Sequence, residues 1–283
     1  MRNTAIKTLF FFCLVFMPCV LHAQDAAGGS RAVFNAALDR SYNKEYDAAS
    51  ELFKKYIVLE PDDPAGYWRL IYTQFFNLRL LQGKEFPEVD GKTFSEAEYR
   101  GFMDLISTGL AKTEAKIVGG DNESCRPHYL ETDDPQPCSS FYLYVKAGII
   151  STHGGLKVEN TGKWGWWNAR NSLKEAIAIA WTSQYRDAKY FIGLTNYNGS
   201  RHPKAFFFAG LPRDKATGLN MIYESVIQNK GPFVDDIWFV IFSIQTDEDN
   251  KGQYAPELVH RLFEYLFSKY PRNGTLQEYR ERH

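Results

Sequence analysis

The stretch VFNAALDRSYNKEYDAASELFKKYIVLEP, Val33 to Pro61, decides the fold class of this chain. Ala49, Phe53, Tyr56 and Ile57 recur in it at spacings of three and four, the period that aligns side chains on one face of an α-helix. The pattern predicts a first helix pair, Arg31 to Tyr42 and Glu45 to Leu59. Pro61 stops the second helix, because it carries no amide hydrogen and its ring fixes the backbone. Asp63 then offers an N-cap oxygen to the free amides of a following helix, and Pro64 fits a first turn, where no backbone donor is needed. A third helix is expected from Pro64 to about Gln82.

Outward from this stretch the helical signals continue. Gly83 to Thr93 is a polar connection. Ser95 and Glu98 then have the spacing of a capping box, with Phe94 and Tyr99 placed as its hydrophobic staple. That helix is expected to reach Val118, where Gly119-Gly120 supplies a left-handed end. Helical character resumes from Ser140 to about Ser151, with His153-Gly154-Gly155 breaking or bending it before a turn with three tryptophans. Leu173, Ile177 and Trp181 mark a helix from Asn168 to Trp181. Arg186 to Tyr197 pairs with it and ends at an Asn198-Gly199 turn. Leu219, Ile222, Tyr223 and Val226 repeat the helical spacing until Gly231-Pro232. Val234, Ile237, Trp238 and Ile241 do so next, and Val259, Leu262, Phe263 and Leu266 mark a final helix ending at Tyr270-Pro271. No convincing series of alternating strands interrupts this. The expectation is an all-α chain of about nine helices. Pairs of about 34 residues, neither member able to bury its stripe alone, predict an α-solenoid of antiparallel hairpins.

The 283 residues carry 33 Lys plus Arg against 34 Asp plus Glu, which argues against a nucleic-acid partner, since phosphate is bound chiefly by surplus cations. Residues 1–23 combine Arg2 and Lys7 with an apolar run from Leu9 to Leu21 and a small Ala23, which reads as an export signal peptide. Cleavage there leaves an exported protein, periplasmic or extracellular, with no stable membrane span; a retained anchor is the competing reading. The remainder, 24–283, is expected to be one helical domain with N-terminal helices in 31–118, a loop in 119–139 and C-terminal helices in 140–283. Of four cysteines only Cys125 and Cys138 survive removal of the signal, and an oxidising compartment would pair them. The three prolines between them forbid a regular element, so the disulfide would clip a loop and add about 3 kcal/mol by restricting the unfolded state. A metal site with His128 as third ligand competes, although zinc motifs usually bring four ligands at tighter spacing. No cofactor is expected. Asn122, Asn198 and Asn273 begin Asn-x-Ser/Thr sequons.

Val33 to Pro61 also resembles a tetratricopeptide repeat: Ala37, Ala49, Phe53 and Pro61 stand at its small, small, aromatic and proline positions, and Val33 replaces the usual tryptophan. Downstream, Ala147-Gly148, His153-Gly154-Gly155, Trp167-Asn168-Ala169-Arg170, Asp187-Ala188 with Gly193, and Tyr270-Pro271-Arg272-Asn273 look like a group of bacterial exported proteins with divergent tetratricopeptide repeats. The resemblance implies fold and compartment, and carries over no catalytic residue.

Two surfaces are candidates for binding. Trp164-Gly165-Trp166-Trp167, with Arg170 following, offers aromatic faces and a cation; adjacent tryptophans cannot all face one core. The inner helices of a solenoid would add Tyr144, Lys146, Tyr190, Asn196 and Tyr197 on a concave face suited to a peptide. Nucleophile, zinc, phosphate-loop and dinucleotide motifs are missing from the sequence, and Asp133-Asp134 and Asp235-Asp236 are the carboxylate pairs open to glycan cleavage. The reading is a non-catalytic scaffold that binds a protein or peptide partner in the cell envelope. A carbohydrate-binding module using the tryptophan turn, or a glycan-cleaving enzyme on a helical scaffold, are the alternatives.

Overall fold

The computed structural model describes residues 29–81, 94–120, 126–129, 137–161, 164–185, 187–226, 231–246 and 256–282. Among them are twelve helices and no strand. These are α1 (29–42), α2 (Tyr46–Leu59), α3 (Pro64–Leu81), α4 (Glu96–Val118), α5 (Cys138–Asn160), α6 (Gly165–Thr182), α7 (Ala188–Arg201), α8 (Pro203–Ala209), α9 (Lys215–Val226), α10 (Val234–Thr246), α11 (Pro256–Lys269) and α12 (Gly274–Arg282). The residues 1–28, with the signal-peptide reading, and Cys125, Asn122 and Asp133-Asp134 lie outside the described residues.

The amino-terminal helices begin where local chemistry tells them to. The carboxylate of Asp63 accepts the amide of Ala65 at 3.1 Å and the hydroxyl of Tyr56 at 2.5 Å, so one buried side chain caps α3 and ties it to α2. Ser95 Oγ accepts the Glu98 amide at 3.2 Å while Glu98 accepts the Ser95 amide at 2.7 Å, completing the capping box of α4. Ala37 and Ala49 are fully buried, which lets α1 and α2 close on the edge-to-face pair Phe34 and Phe53, 5.8 Å apart.

Glycine acts differently here from its usual role as a helix breaker. His153-Gly154-Gly155 does not interrupt α5, which runs on to Asn160. A Cβ on Gly154 would lie 2.8 Å from Leu173 of α6, and one on Gly148 would lie 2.4 Å from the Trp68 indole of α3. Both glycines mark close approach between helices rather than an end. Asn198-Gly199 likewise sits inside α7, which continues to Arg201, because Gly199 passes the backbone of Pro212. The tryptophan segment is not a turn either: Trp166 and Trp167 occupy the first turn of α6. The helices beyond the expected nine include α8, seven residues long, and α12, which buries only Leu276.

Each helix from α2 to α7 packs on its successor, and α3, α5, α7 and α9 also touch in succession to form one layer, with α6 and α8 touching on another. The carboxyl-terminal helices then return to the first hairpin. Asn273 donates to the Tyr42 carbonyl at 2.7 Å, and Arg272 pairs with Glu45 at 2.6 Å and Asp39 at 3.1 Å. Tyr42 stacks with Phe239 and tilts against Tyr270, at 5.9 and 5.0 Å. The fully buried Phe233, just before α10, meets Phe34, Trp68, Phe141 and Tyr144 at ring distances of 5.1 to 6.3 Å. Beside it lies Arg69 of α3, also fully buried, which donates to Asp236 of α10 at 2.5 Å. Burial opposes the charge on Arg69, and Asp236 more than offsets it, so the guanidinium titrates above its ordinary range.

Candidate functional site

Gly165 fixes the start of α6. A Cβ there would fall 2.3 Å from the Val158 carbonyl oxygen, so only glycine lets α6 begin against the backbone of α5. That contact sets the rotation of the tryptophans. Trp166 turns toward α8 and packs against Phe206 at 4.6 Å and His202 at 5.5 Å. Trp164 and Trp167 turn outward and are 64% and 46% exposed. Arg170, one turn on, donates to the Trp167 carbonyl at 2.7 Å and holds its guanidinium 3.9 Å over the Trp167 ring.

Trp167, Lys174 and Trp181 follow at seven-residue intervals along α6, so they form one stripe, and all three are exposed. Beside it, α8 starts on Pro203 and is closed by Gly210 in the left-handed region at φ 63°. Phe206 and Ala209 face the core, which leaves Phe207 and Phe208 outward at 60% and 72% exposure. Arg213 stands 4.6 Å over the Phe207 ring and repeats the arrangement of Arg170 on Trp167. The Lys174 ammonium reaches across to the end of α8 at Gly210. Burial, then the nearby Arg201, lowers the pKa of His202 at the seam. Exposed rings therefore stand on both neighbouring helices, Trp167 and Trp181 on α6 with Trp164 as its N-cap, and Phe207 and Phe208 on α8.

The concave-face residues behave otherwise. Tyr144, Tyr190, Asn196 and Tyr197 are buried in the core, and Tyr144 lies against Phe233 and Phe191. Asn196 donates to the Ile192 carbonyl at 3.1 Å and accepts the Asp214 amide at 3.2 Å. Lys146 pairs with Glu114 of α4. The surface expected from these residues is therefore covered: Phe233 lies against Tyr144, and the chain entering α9 lies against Asn196. Phe207, Phe208 and Arg213, absent from the sequence-level candidates, join the exposed face instead. Their signal was the run Phe206-Phe207-Phe208, which no single helix face can bury.

The carboxylates are engaged. Asp236 holds Arg69, while Asp235 accepts from the hydroxyls of Tyr265 and Tyr270 at 2.8 and 2.5 Å and from Lys269 at 2.6 Å. The Asn273 amide nitrogen, which a glycan would occupy, is buried against Tyr42. Cys138 is buried at the start of α5, with Sγ 3.9 Å from the Gly120 carbonyl oxygen. The His128 ring lies 5.3 Å from Tyr129 and 6.1 Å from Tyr56. Among the described residues no group of three or more His, Cys, Asp or Glu is placed to hold a metal, and no helix is long and apolar enough to cross a membrane. No family model, curated protein or solved structure matches the chain.

Proposed function

We propose that the chain is a non-catalytic scaffold, a tetratricopeptide-like array of helix hairpins exported to the cell envelope, which works by binding an envelope component. The attachment face is the outer side of α6 and α8. One observation carries the reading: five large aromatic side chains on two adjacent helices are exposed. Isolated exposed apolar residues are ordinary in a folded protein, whereas several large exposed rings on neighbouring helices, two of them under arginines, mark an interaction surface. The succession of α3, α5, α7 and α9 in one layer supports the hairpin-array description, and the apolar segment before Gln24 supports export. A concave peptide groove is set aside, since Tyr144, Tyr190, Asn196 and Tyr197 are in the core and Lys146 is paired with Glu114.

A second reading, glycan binding, is favoured by one feature: Trp164 and Trp167 present exposed rings beside Asn168 and Arg170, the pairing that recognises a sugar face and its hydroxyls. The test is retention on an envelope fraction of wild type against the variant Trp164→Ser, Trp167→Ser, Phe207→Ser, Phe208→Ser. Retention should fall at least about tenfold while helix content is unchanged. Equal retention would remove this face as the attachment site, and release by soluble glycan fragments would select the second reading.

A further inference from the structure

We propose that the α6–α8 face seats on an anionic phospholipid surface, its rings entering the headgroup layer and its cations meeting the phosphates. This rests on the attachment reading and names the partner. Charge is the first argument. Arg170, Lys174, Lys204 and Arg213 stand among the exposed rings. Two exposed acids stand nearby, Glu175 of α6 and Asp214, whose carboxylate accepts the Thr217 amide at 2.6 Å as the cap of α9, and the four cations outnumber them. A face so biased in a chain of nearly balanced charge fits a negative partner.

The shape of the surface is the second argument. Phe208 is 72% and Trp164 64% exposed, so most of each ring is open to solvent. A fluid headgroup layer needs no groove, because lipid closes around each ring. Tryptophan is the residue most at home at that depth, with an apolar body and one ring N–H for the polar zone. The third argument is the repeated pairing of arginine on ring. In Arg170 over Trp167 and Arg213 over Phe207, the guanidinium sits beside the ring it would accompany, so ring insertion and phosphate contact occur together.

The test uses the protein purified after export and vesicles of phosphatidylglycerol and phosphatidylethanolamine in equal parts, with phosphatidylcholine vesicles as reference. Binding is expected on the anionic vesicles only, weakening as salt is raised. Lys174→Glu with Lys204→Glu should lower partitioning by more than about tenfold, since each cation near such a surface contributes about fivefold. Brominated phosphatidylglycerol should quench tryptophan emission, and Trp164→Phe, Trp167→Phe and Trp181→Phe together should remove most of that quenching while preserving binding. All variants keep the same amino terminus, so any contribution of residues 9–21 is common to them. Absence of binding to anionic vesicles, equal binding to phosphatidylcholine, or binding indifferent to the lysine reversals would overturn the proposal. If vesicles fail but protease-sensitive retention on the envelope fraction still depends on the four rings, the partner is a protein and the attachment reading stands. If retention fails as well, both fall.

Discussion

Replacing Arg69 with Met tests what holds the two ends of the chain together. The guanidinium is fully buried, donates to Asp236 at 2.5 Å, and is ringed by Tyr72, Phe233, Tyr42 and Trp68 at 4.8 to 5.8 Å from their centroids. Methionine fills much of the same volume without charge, so the dominant loss is the compensation of Asp236, whose side chain is 10% exposed. Removing one partner of a buried pair costs about 3–5 kcal/mol, a large share of the about 5–15 kcal/mol that holds an ordinary domain. Replacing both, as Arg69→Met with Asp236→Leu, removes the stranded charge, and the double variant should recover most of the loss. Urea denaturation followed by circular dichroism measures all three variants, with an unchanged slope confirming that the same surface is exposed. The reasoning fails if Arg69→Met costs less than about 1 kcal/mol, or if the double variant loses the sum of the single ones.

Two glycines in exposed and buried settings should respond in opposite directions. Gly101→Ala in α4, where a Cβ meets nothing within 4 Å, should stabilise by about 1 kcal/mol from helix propensity. Gly148→Ala places its methyl 2.4 Å from an indole already packed by Tyr144 and Phe233, and should destabilise by about 1–3 kcal/mol; a raised melting temperature would contradict the packing. His153 is held to about 4, first by burial and then by Lys157, against about 6.5 when unfolded. The folded state therefore binds fewer protons between those values, and stability should fall as pH drops from about 6.5 to 4. His153→Gln should flatten that slope, leaving the part in the same direction that His202 contributes; an identical slope in melting temperature against pH would refute the assignment.

The amino-terminal half was legible because its signals are local. Pro61, Asp63, Pro64, Ser95 and Glu98 act within a turn of themselves, and each does in three dimensions what its spacing announces. The all-α class followed from the same periodicity. The glycines misled because a residue lacking Cβ serves both a broken helix and a tight crossing, and only the neighbour decides; Gly148 has Trp68 and Gly154 has Leu173. Tyr144 and Tyr190 illustrate a second limit. Tyrosine suits a wet groove or a dry core, and Tyr144 is buried by Tyr185, Phe191 and Trp68 at 5.1 to 5.3 Å and by Phe233, eighty-nine positions later in the numbering, at 6.2 Å. For the exposed rings of α6 and α8, the clustered tryptophans announced at least one exposed ring, whereas the alignment of α8 beside α6 depended on Trp166 meeting Phe206.

The return of Arg272 and Asn273 to the junction of α1 and α2 alters how this row of helices comes apart. A row of helices with free ends loses its outermost members first, each unit yielding with little effect on distant ones. Fastening the tail to the head abolishes the outermost member. Amide protons of α2 and α11 should then exchange through the same opening event as those of α5, and cutting the tail before Pro271 should loosen the head as well as the tail.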